Sequence, residues 1–244
     1  MYLCTKIKYA FMIQNRKLFA ADDKLANVVA EFHDIILVFP RFGINLGFGD
    51  RSIAEVCKMY GVDVNLFLMV CNIYSFEDYY PESFLNEQQL KSLIDYLLKS
   101  HRYYLDERVG HIANHLMHIA NSIEPKFGTI LRKFFDDYRA EVVSHFSYEE
   151  ENVFPYIESL LEGGERGTFC IRQFEENHSN IEDKLDDLIN IIVKYLPGDS
   201  LPRERTSVLF DLFRLSKDLK KHALIEDYLL APSVEALEDR RNEE

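Results

Sequence analysis

The chain has 244 residues and a net charge of −13 at pH 7, and 47% of its residues are hydrophobic. That hydrophobic content is enough for a sizeable core, and the length suits one large domain or a small domain joined to a medium one. The strong negative charge repels phosphate backbones and anionic membranes, which excludes nucleic acids and membrane surfaces as main partners.

The cysteines and the apolar runs together predict a cytoplasmic protein. Cys4, Cys57, Cys71 and Cys170 are scattered and form no C-x-x-C pair, as is typical of free thiols in a reducing compartment. No apolar run reaches the roughly 18–20 residues that a membrane-spanning helix needs. Polar side chains close to the start of the chain argue against a secretory signal.

Residues 1–74 are predicted to form a small helical N-terminal domain. Ser52 followed by Glu55 is the pattern of a capping box, and Asp63 suits a helix N-cap. Glycine and proline residues separate the segments between these caps. Three short helices are therefore expected, at Leu25–Phe39, Ser52–Tyr60 and Asp63–Ile73.

From residue 87 the pattern changes to long amphipathic helices, after a polar and aromatic linker at residues 75–86. Four such helices with short turns are typical of an up-down-up-down four-helix bundle, so the predicted fold class is all-α. Pro155 is expected to kink the second helix, and Pro232 is expected to end the fourth. The predicted bundle covers residues 87–232 with helices near Glu87–Asn121, Thr129–Leu161, Thr168–Tyr195 and Arg203–Leu230, and a polar tail follows at 233–244.

The pattern His-x-x-x-Glu occurs twice in the predicted bundle, as His145 with Glu149 and as His222 with Glu226. Residues four apart lie on one face of a helix, so both side chains of each pair point into the same space. One further histidine precedes each pair on the preceding helix, namely His101 and His178.

The number of residues between each of these side chains and the nearest turn indicates whether they lie at the same height along the bundle axis. His101 and the midpoint of the first pair lie equally far along the chain from the first turn, near position 124. His178 and His222 likewise lie equally far from the last turn, near position 200. The middle turn fits less well, because His145 precedes it by more positions than His178 follows it.

Four imidazoles and two carboxylates suit iron better than structural zinc, which usually has thiolate ligands. Two glutamates can bridge two dications and limit their repulsion, and open positions remain for an oxo bridge, O2 or NO. The alternative is that the histidines are unrelated and that each pair is a helical ion pair, but the matched separations favour metal. The sequence therefore predicts two non-haem iron ions, joined by an oxo bridge and held by His101, His145, Glu149, His178, His222 and Glu226.

Neighbouring acidic residues are alternative ligands. Glu150, Glu151 and Asp227 are each rotated away from the histidine of the pair, so they are predicted to be poorer ligands. Glu182, four residues after His178, is a candidate to orient a metal ligand without binding the metal itself.

The remaining histidines leave alternatives open. His111, His115 and His118 form H-x-x-x-H-x-x-H on the first bundle helix. A second metal site and a solvated or supporting role are both consistent with this pattern. A solvated or supporting role is favoured, because the sequence has no acidic residue at a spacing that would bring it to these histidines. His33 is expected to be structural.

The ligand order His, His-x-x-x-Glu, His, His-x-x-x-Glu resembles that of hemerythrin-like di-iron bundles and, within them, the repair-of-iron-centres family. The run EEENVFP at Glu149–Pro155 resembles the E-E-x-x-x-F-P run of that family. Phe42–Cys57 resembles its small N-terminal domain, but the family's adjacent cysteine pair falls at Gly47-Phe48 here. If those thiols handle iron, sulfur or electrons in relatives, this chain lacks that step or uses Cys57 or Cys71 instead.

The resemblance implies a cytoplasmic di-iron protein that acts in nitrosative and oxidative stress. It would donate iron to damaged iron–sulfur clusters or carry out NO or O2 chemistry. The resemblance does not decide whether the protein is an enzyme. The alternative is a hemerythrin-like sensor or carrier of O2, NO or iron without repair activity, and a third hypothesis is a structural protein with coincidental histidines. The expected partners are O2 or NO, iron–sulfur proteins and a second copy of the chain, with neither nucleic acid nor membrane.

Overall fold

The computed structural model describes residues 18–164, 170–171, 179–196 and 201–242. These residues form helices and no β-strand, and Lys24 and Ser52 make an isolated bridge. The fold is therefore all-α. The described part of the chain has no helix that is both long and apolar enough to cross a membrane. The chain divides into two compact units, Met1–Ser83 and Phe84–Glu244.

The first unit is built from short helices whose caps agree with the sequence prediction. The Ser52 hydroxyl accepts from the Glu55 amide at 3.3 Å, and the Ser52 amide donates to the Glu55 carboxylate at 2.8 Å. The predicted helix Leu25–Phe39 is wrong as a single element, because Phe32 leaves the helical region with φ −124° and ψ 80°. The helices are Leu25–Glu31, Val38–Arg41, Ile53–Tyr60 and Val64–Ser75, with a 3-10 turn at His33–Leu37.

Gly47 and Phe48 lie at a structural turn of the first unit. Gly47 has φ +99°, a backbone conformation that side-chain-bearing residues rarely adopt. Phe48 is buried, and its ring meets that of Phe39 edge to face at 5.7 Å. Gly47 thus sets the turn and Phe48 fills the core of the first unit, so a cysteine pair would disturb both.

The second unit consists of four long helices, each of which contains a π-helical turn where the structure describes it. The first bundle helix packs against the second and the fourth, and the third also packs against the second and the fourth. This is the neighbour pattern of a four-helix bundle. The first bundle helix comprises Glu87–Arg102, the π-helical turn Tyr103–Val109 and Gly110–Asn121. The second comprises Pro125–Tyr148, the π-helical turn Glu149–Val153 and Phe154–Leu161. The third comprises Ser179–Asn190 and the π-helical turn Ile191–Tyr195, and the fourth comprises Pro202–Ile225, the π-helical turn Glu226–Leu230 and Ala231–Asn242.

Local sequence explains where the first two bundle helices begin and how closely they pack. Asn86 and Gln89 exchange side-chain and backbone hydrogen bonds at 2.9 and 3.0 Å, which forms a capping box before Glu87. Pro125 occupies the first turn of the second helix, where its missing N–H is not needed. A Cβ at Gly128 would collide with the Ala120 carbonyl, so this glycine allows the two helices to approach near their turn.

The two prolines that follow the His-x-x-x-Glu pairs do not end their helices. The Phe154 N–H, just before Pro155, donates to the Glu149 carbonyl, and the Ala231 N–H, just before Pro232, donates to the Glu226 carbonyl. Both bonds span five residues, as in a π-helix, and the wider turn accommodates a ring that has no N–H to donate. The prediction that Pro232 ends the fourth helix is therefore wrong.

The segment predicted as a polar tail is also part of the bundle unit. The fourth bundle helix continues through Ala231–Asn242, and Val234, Leu237 and Glu238 are all buried. The Glu238 carboxylate accepts hydrogen bonds from the Tyr156 hydroxyl at 2.6 Å and from the Ile171 amide at 3.1 Å. The charge of this segment predicts a tail, but its apolar residues and this buried carboxylate tie it to the bundle.

The third bundle helix starts later than predicted, within the part of the chain that the structure describes. Cys170 lies outside any helix and Ile171 lies in a 3-10 turn, whereas the sequence predicts a helix from Thr168. The described helix begins at Ser179.

The core of the bundle is formed by aromatic and aliphatic side chains from all four helices. Their burial is nearly complete, and burying side chains of this size stabilises the fold by about 1.5–3 kcal/mol each. The members include Tyr104, Ile112, Leu116, Leu131, Phe135, Tyr138, Val142, Leu185, Leu188, Val208, Leu212 and Leu215.

Candidate metal centre

Four of the predicted ligands meet in the interior of the bundle. His101 comes from the first bundle helix, Glu149 from the second, and His222 and Glu226 from the fourth. One ligand atom from each lies within 4.8 Å of the others, and all four residues are at most 3% exposed. A charged cluster this deeply buried needs a compensating partner.

The distances within the cluster are those between neighbouring ligands of one ion. Glu149 turns Oε2 toward His101 Nε2 at 3.0 Å and Oε1 toward His145 Nε2 at 2.8 Å. In the second pair, His222 Nε2 lies 3.0 Å from Glu226 Oε1. Ligands at right angles around an ion with bonds of about 2.1 Å lie about 3.0 Å apart. The spacing therefore fits side chains that face a common cation.

Buried nitrogen atoms with no hydrogen bond support this interpretation. His101 Nε2 and both ring nitrogens of His222 are fully buried and make no hydrogen bond to the described residues, although carboxylate oxygens lie close to both Nε2 atoms. Leaving a buried polar atom without a hydrogen bond costs about 1–3 kcal/mol. Coordination of a metal ion by the Nε2 atoms would remove that cost, so the residues present fit a metal.

The electrostatics of the metal-free chain favour positive charge at the centre. Burial lowers the pKa of His101, but the carboxylates of Glu149 and Glu150 outweigh burial and raise it to about 9. Burial and the charge of Glu226 raise the pKa of Glu149, but its close contacts with the imidazoles of His101 and His145 prevail and hold it below its usual value. The same carboxylates would stabilise a metal cation in place of the proton.

Glu150 has a role that sequence reasoning misses. Its Oε1 atom lies 2.8 Å from Nδ1 of His101, on the opposite side of the ring from Glu149. A histidine ligand commonly donates its second N–H to a carboxylate, which fixes the ring and its tautomer. The sequence predicts a poor ligand at Glu150 because it points away from His145 on its own helix. Its partner lies on another helix, which spacing along one helix does not reveal.

Aromatic rings enclose the cluster on the side of the first and second bundle helices. Phe146 stacks on His101 with ring centroids 4.0 Å apart and planes 9° apart, and Phe154 lies 5.7 Å from the same ring. Tyr104 meets His222 edge to face at 5.5 Å, and its hydroxyl donates to the Asp218 carbonyl at 3.3 Å. These contacts restrict ring rotation and keep water away from the ligand nitrogens.

His145 lies at the edge of the cluster and reaches a surface cleft. Its side chain is 11% exposed, against 1% for His101 and 3% for His222. The cleft has a volume of about 680 Å³ and lies between the second and third bundle helices. Its lining residues include Asp137, Glu141, Ser144, His145, Tyr148 and Lys184, of which Glu141 and Lys184 form an ion pair.

The other predicted residues have mixed outcomes. His178 lies outside the described residues, so its place in the centre stays a prediction, and so does the role of Glu182 beside it. Glu151 is exposed and Asp227 is half-buried, and neither belongs to the buried cluster found among the described residues.

The described cysteines of the first unit, Cys57 and Cys71, are buried and poorly reactive. Burial and the nearby Asp63 raise the pKa of Cys57 to about 12. Burial and Cys57 raise the pKa of Cys71 well above its usual value. Both thiols therefore stay protonated near neutral pH, and a protonated thiol is a weak nucleophile and metal ligand.

Comparison with known proteins agrees with the fold and the cluster. Residues 90–234 match the family described as Hemerythrin HHE cation binding domain. The chain therefore belongs to the hemerythrin family, whose HHE domains bind non-haem iron. The chain matches no curated protein and no solved structure.

Proposed function

We propose that this chain is a non-haem di-iron protein that acts in nitrosative or oxidative stress in the cytoplasm, by donating iron to damaged iron–sulfur proteins or through NO and O2 chemistry. The observation that carries the proposal is the buried cluster of His101, Glu149, His222 and Glu226 in a hemerythrin bundle. Its nitrogen and oxygen ligands without thiolates suit iron.

In this proposal each His-x-x-x-Glu pair contributes to one side of the centre. His101, His145 and Glu149 would hold iron from one side, and His222 and Glu226, together with His178, would hold it from the other. Two iron ions at this place would supply redox chemistry and open positions for a diatomic ligand. The protein's own part is to hold the imidazoles rigid with Phe146 and Glu150 and to keep bulk water out.

The second candidate is a sensor or carrier of O2, NO or iron without repair activity. It is favoured by one observation: Gly47 and Phe48 replace the cysteine pair of the repair family, and Cys57 and Cys71 are buried thiols with raised pKa values. Repair would then depend on the bundle alone, because the first unit offers no reactive thiol among its described residues.

The metal content tests the proposal most directly. The full chain is loaded with Fe²⁺ without oxygen, passed over a desalting column and analysed for iron. We expect about two iron ions per chain, and an absorption spectrum of an oxygen-bridged ferric pair after exposure to air. A chain that stays free of iron, with an unchanged melting temperature, would overturn both candidates.

Transfer of iron then separates the two candidates. The iron-loaded chain is mixed with an apo iron–sulfur enzyme in the presence of sulfide and reductant, and recovery of the enzyme's activity is followed. Recovery faster than with an equal amount of free Fe²⁺ supports repair. No recovery, together with rapid and reversible binding of NO or O2, supports the sensor or carrier.

A further inference from the structure

Two histidines of the first bundle helix lie outside the buried cluster, and one of them, His111, faces the fourth bundle helix. His111 and His115 are one helical turn apart in Gly110–Asn121, and their ring centroids lie 4.7 Å apart. His111 is exposed and His115 is half-buried, so both rings are open to solvent on one side. Two imidazoles at this spacing can chelate one metal ion, because the same helical geometry brings i and i+4 side chains together.

The fourth bundle helix supplies an acidic partner for His111, which the spacing of residues along the first bundle helix does not predict. Asp211, in Pro202–Ile225, has its Oδ2 atom 3.4 Å from His111 Nε2, longer than a normal hydrogen bond. Its other oxygen, Oδ1, accepts a hydrogen bond from Arg108 at 2.9 Å. Arg108 thus holds the carboxylate by one oxygen and leaves the other turned toward His111.

We propose that His111, His115 and Asp211 form a second, surface metal site that binds a late divalent transition ion, zinc above all. Two imidazoles and one carboxylate are a ligand set that zinc accepts, with water at the fourth position. Arg108 is the positioning residue, since it fixes the ligating carboxylate from behind. The site is independent of the proposed function, because it shares no residue with the buried cluster.

In the structure the three side chains are neighbours whose ligand atoms have not yet converged. Among the described residues, ligand atoms converge within 4.8 Å of one another in the buried cluster, and this second trio is less tightly gathered. The proposal therefore requires rotation of the exposed His111 ring or of the half-buried His115 ring when the metal binds. Rotamer changes of solvent-exposed side chains take picoseconds to nanoseconds and present no barrier to binding.

The test is zinc binding by the full chain after the buried centre has been loaded with iron. Zn²⁺ is titrated by calorimetry, and a parallel titration with Co²⁺ reports ligand geometry from its visible absorption. We expect one additional site, with the intense bands of four-coordinate Co²⁺. Replacing both histidines, His111→Gln with His115→Gln, should weaken this site at least ~100-fold, and Asp211→Asn should weaken it about 10-fold.

His118→Gln is the matched control, because His118 is exposed on the same helix one turn further on. It should change zinc affinity less than about 3-fold, since its ring is outside the proposed trio. Zinc binding that survives the double histidine change, or that weakens more in His118→Gln than in Asp211→Asn, would overturn the assignment. If the chain takes up no iron, the same comparison of variants still measures the surface site, because the buried residues are identical in all of them.

Discussion

The two His-x-x-x-Glu pairs are alike in sequence but differ in their surroundings. His222 and Glu226 are 3% and 0% exposed, deep within the bundle, and Nδ1 of His222 makes no hydrogen bond to the described residues. His145 is 11% exposed beside a surface cleft, and its partner Glu149 faces a second imidazole, that of His101. The same local motif therefore gives one partly exposed histidine and one enclosed histidine, because neighbouring helices decide how each side chain is covered and which groups it contacts.

The largest expected effect comes from removing one whole half. His145→Ala with Glu149→Ala, or His222→Ala with Glu226→Ala, should each reduce the iron content of the loaded chain from about two ions per chain to less than about one. Iron counting after desalting measures this. The matched control is His118→Ala with Glu151→Ala, which removes an exposed histidine and an exposed glutamate. Full iron content in either cluster variant would show that the ligands are misassigned.

A smaller effect is expected from the carboxylate of Glu150, which contacts His101 Nδ1, whereas His222 Nδ1 has no such partner among the described residues. Glu150→Ala removes the carboxylate at His101 Nδ1 and should weaken iron binding about 10–100-fold in competition with a chelator. Glu150→Gln should recover part of the loss, because its amide oxygen still accepts from the ring. Glu151→Ala is the control, since Glu151 is exposed on the same π-helical turn. Equal affinities of the two alanine variants would refute the role of Glu150.

The smallest effect concerns the stability of the metal-free chain. The charge of Glu226 raises the pKa of Glu149, which means that the two carboxylates repel each other. Either substitution relieves this repulsion, but Glu226→Gln weakens the contact with one imidazole, that of His222, and should change the free energy of unfolding by less than about 1 kcal/mol. Glu149→Gln weakens the contacts with two imidazoles, those of His101 and His145, and should lower the free energy of unfolding by ~1 kcal/mol, or the melting temperature by about 2–4 °C.

Both variants are unfolded with urea in the presence of a chelator, so that no metal contributes. Changes of the same sign and size in the two variants would show that the halves are electrostatically equivalent in the metal-free chain, contrary to the comparison. With iron present, both variants should be less stable than the unmodified chain, because ligands that bind the folded state alone stabilise it.

Much of the bundle could be predicted from its sequence. Leu90 to Leu98 give a clear helical stripe, and Asn86 with Gln89 starts the first bundle helix at Glu87, where the pattern predicts it. Matched separations from the first turn predict that His101 meets the first pair, and its Nε2 atom lies 3.0 Å from Glu149. These successes depend on local rules, which act within a helix or across one short turn.

The sequence predictions that are wrong or incomplete have a common cause. Pro232 is expected to end the fourth helix because a proline blocks an α-helical hydrogen bond, but a π-helical turn at Glu226 avoids that bond. The pattern His-x-x-x-Glu-x-x-x-x-x-Pro occurs in both helices and could have indicated that the two prolines behave alike. The contacts of Glu150 and Asp211 cannot be predicted from spacing within one helix, because each of these residues contacts a histidine of another helix.

The sequence by itself determined the helical class and the pairing of each histidine with a glutamate four residues later, because helical periodicity and four-residue spacing are properties of one helix. Only the tertiary structure decided which of the two paired histidines is enclosed, which carboxylate contacts the Nδ1 atom of His101, and which acidic residue faces His111. Those relations join side chains from different helices, as with His101 and Glu150 or His111 and Asp211. They depend on how the bundle helices are rotated and staggered when their apolar faces pack.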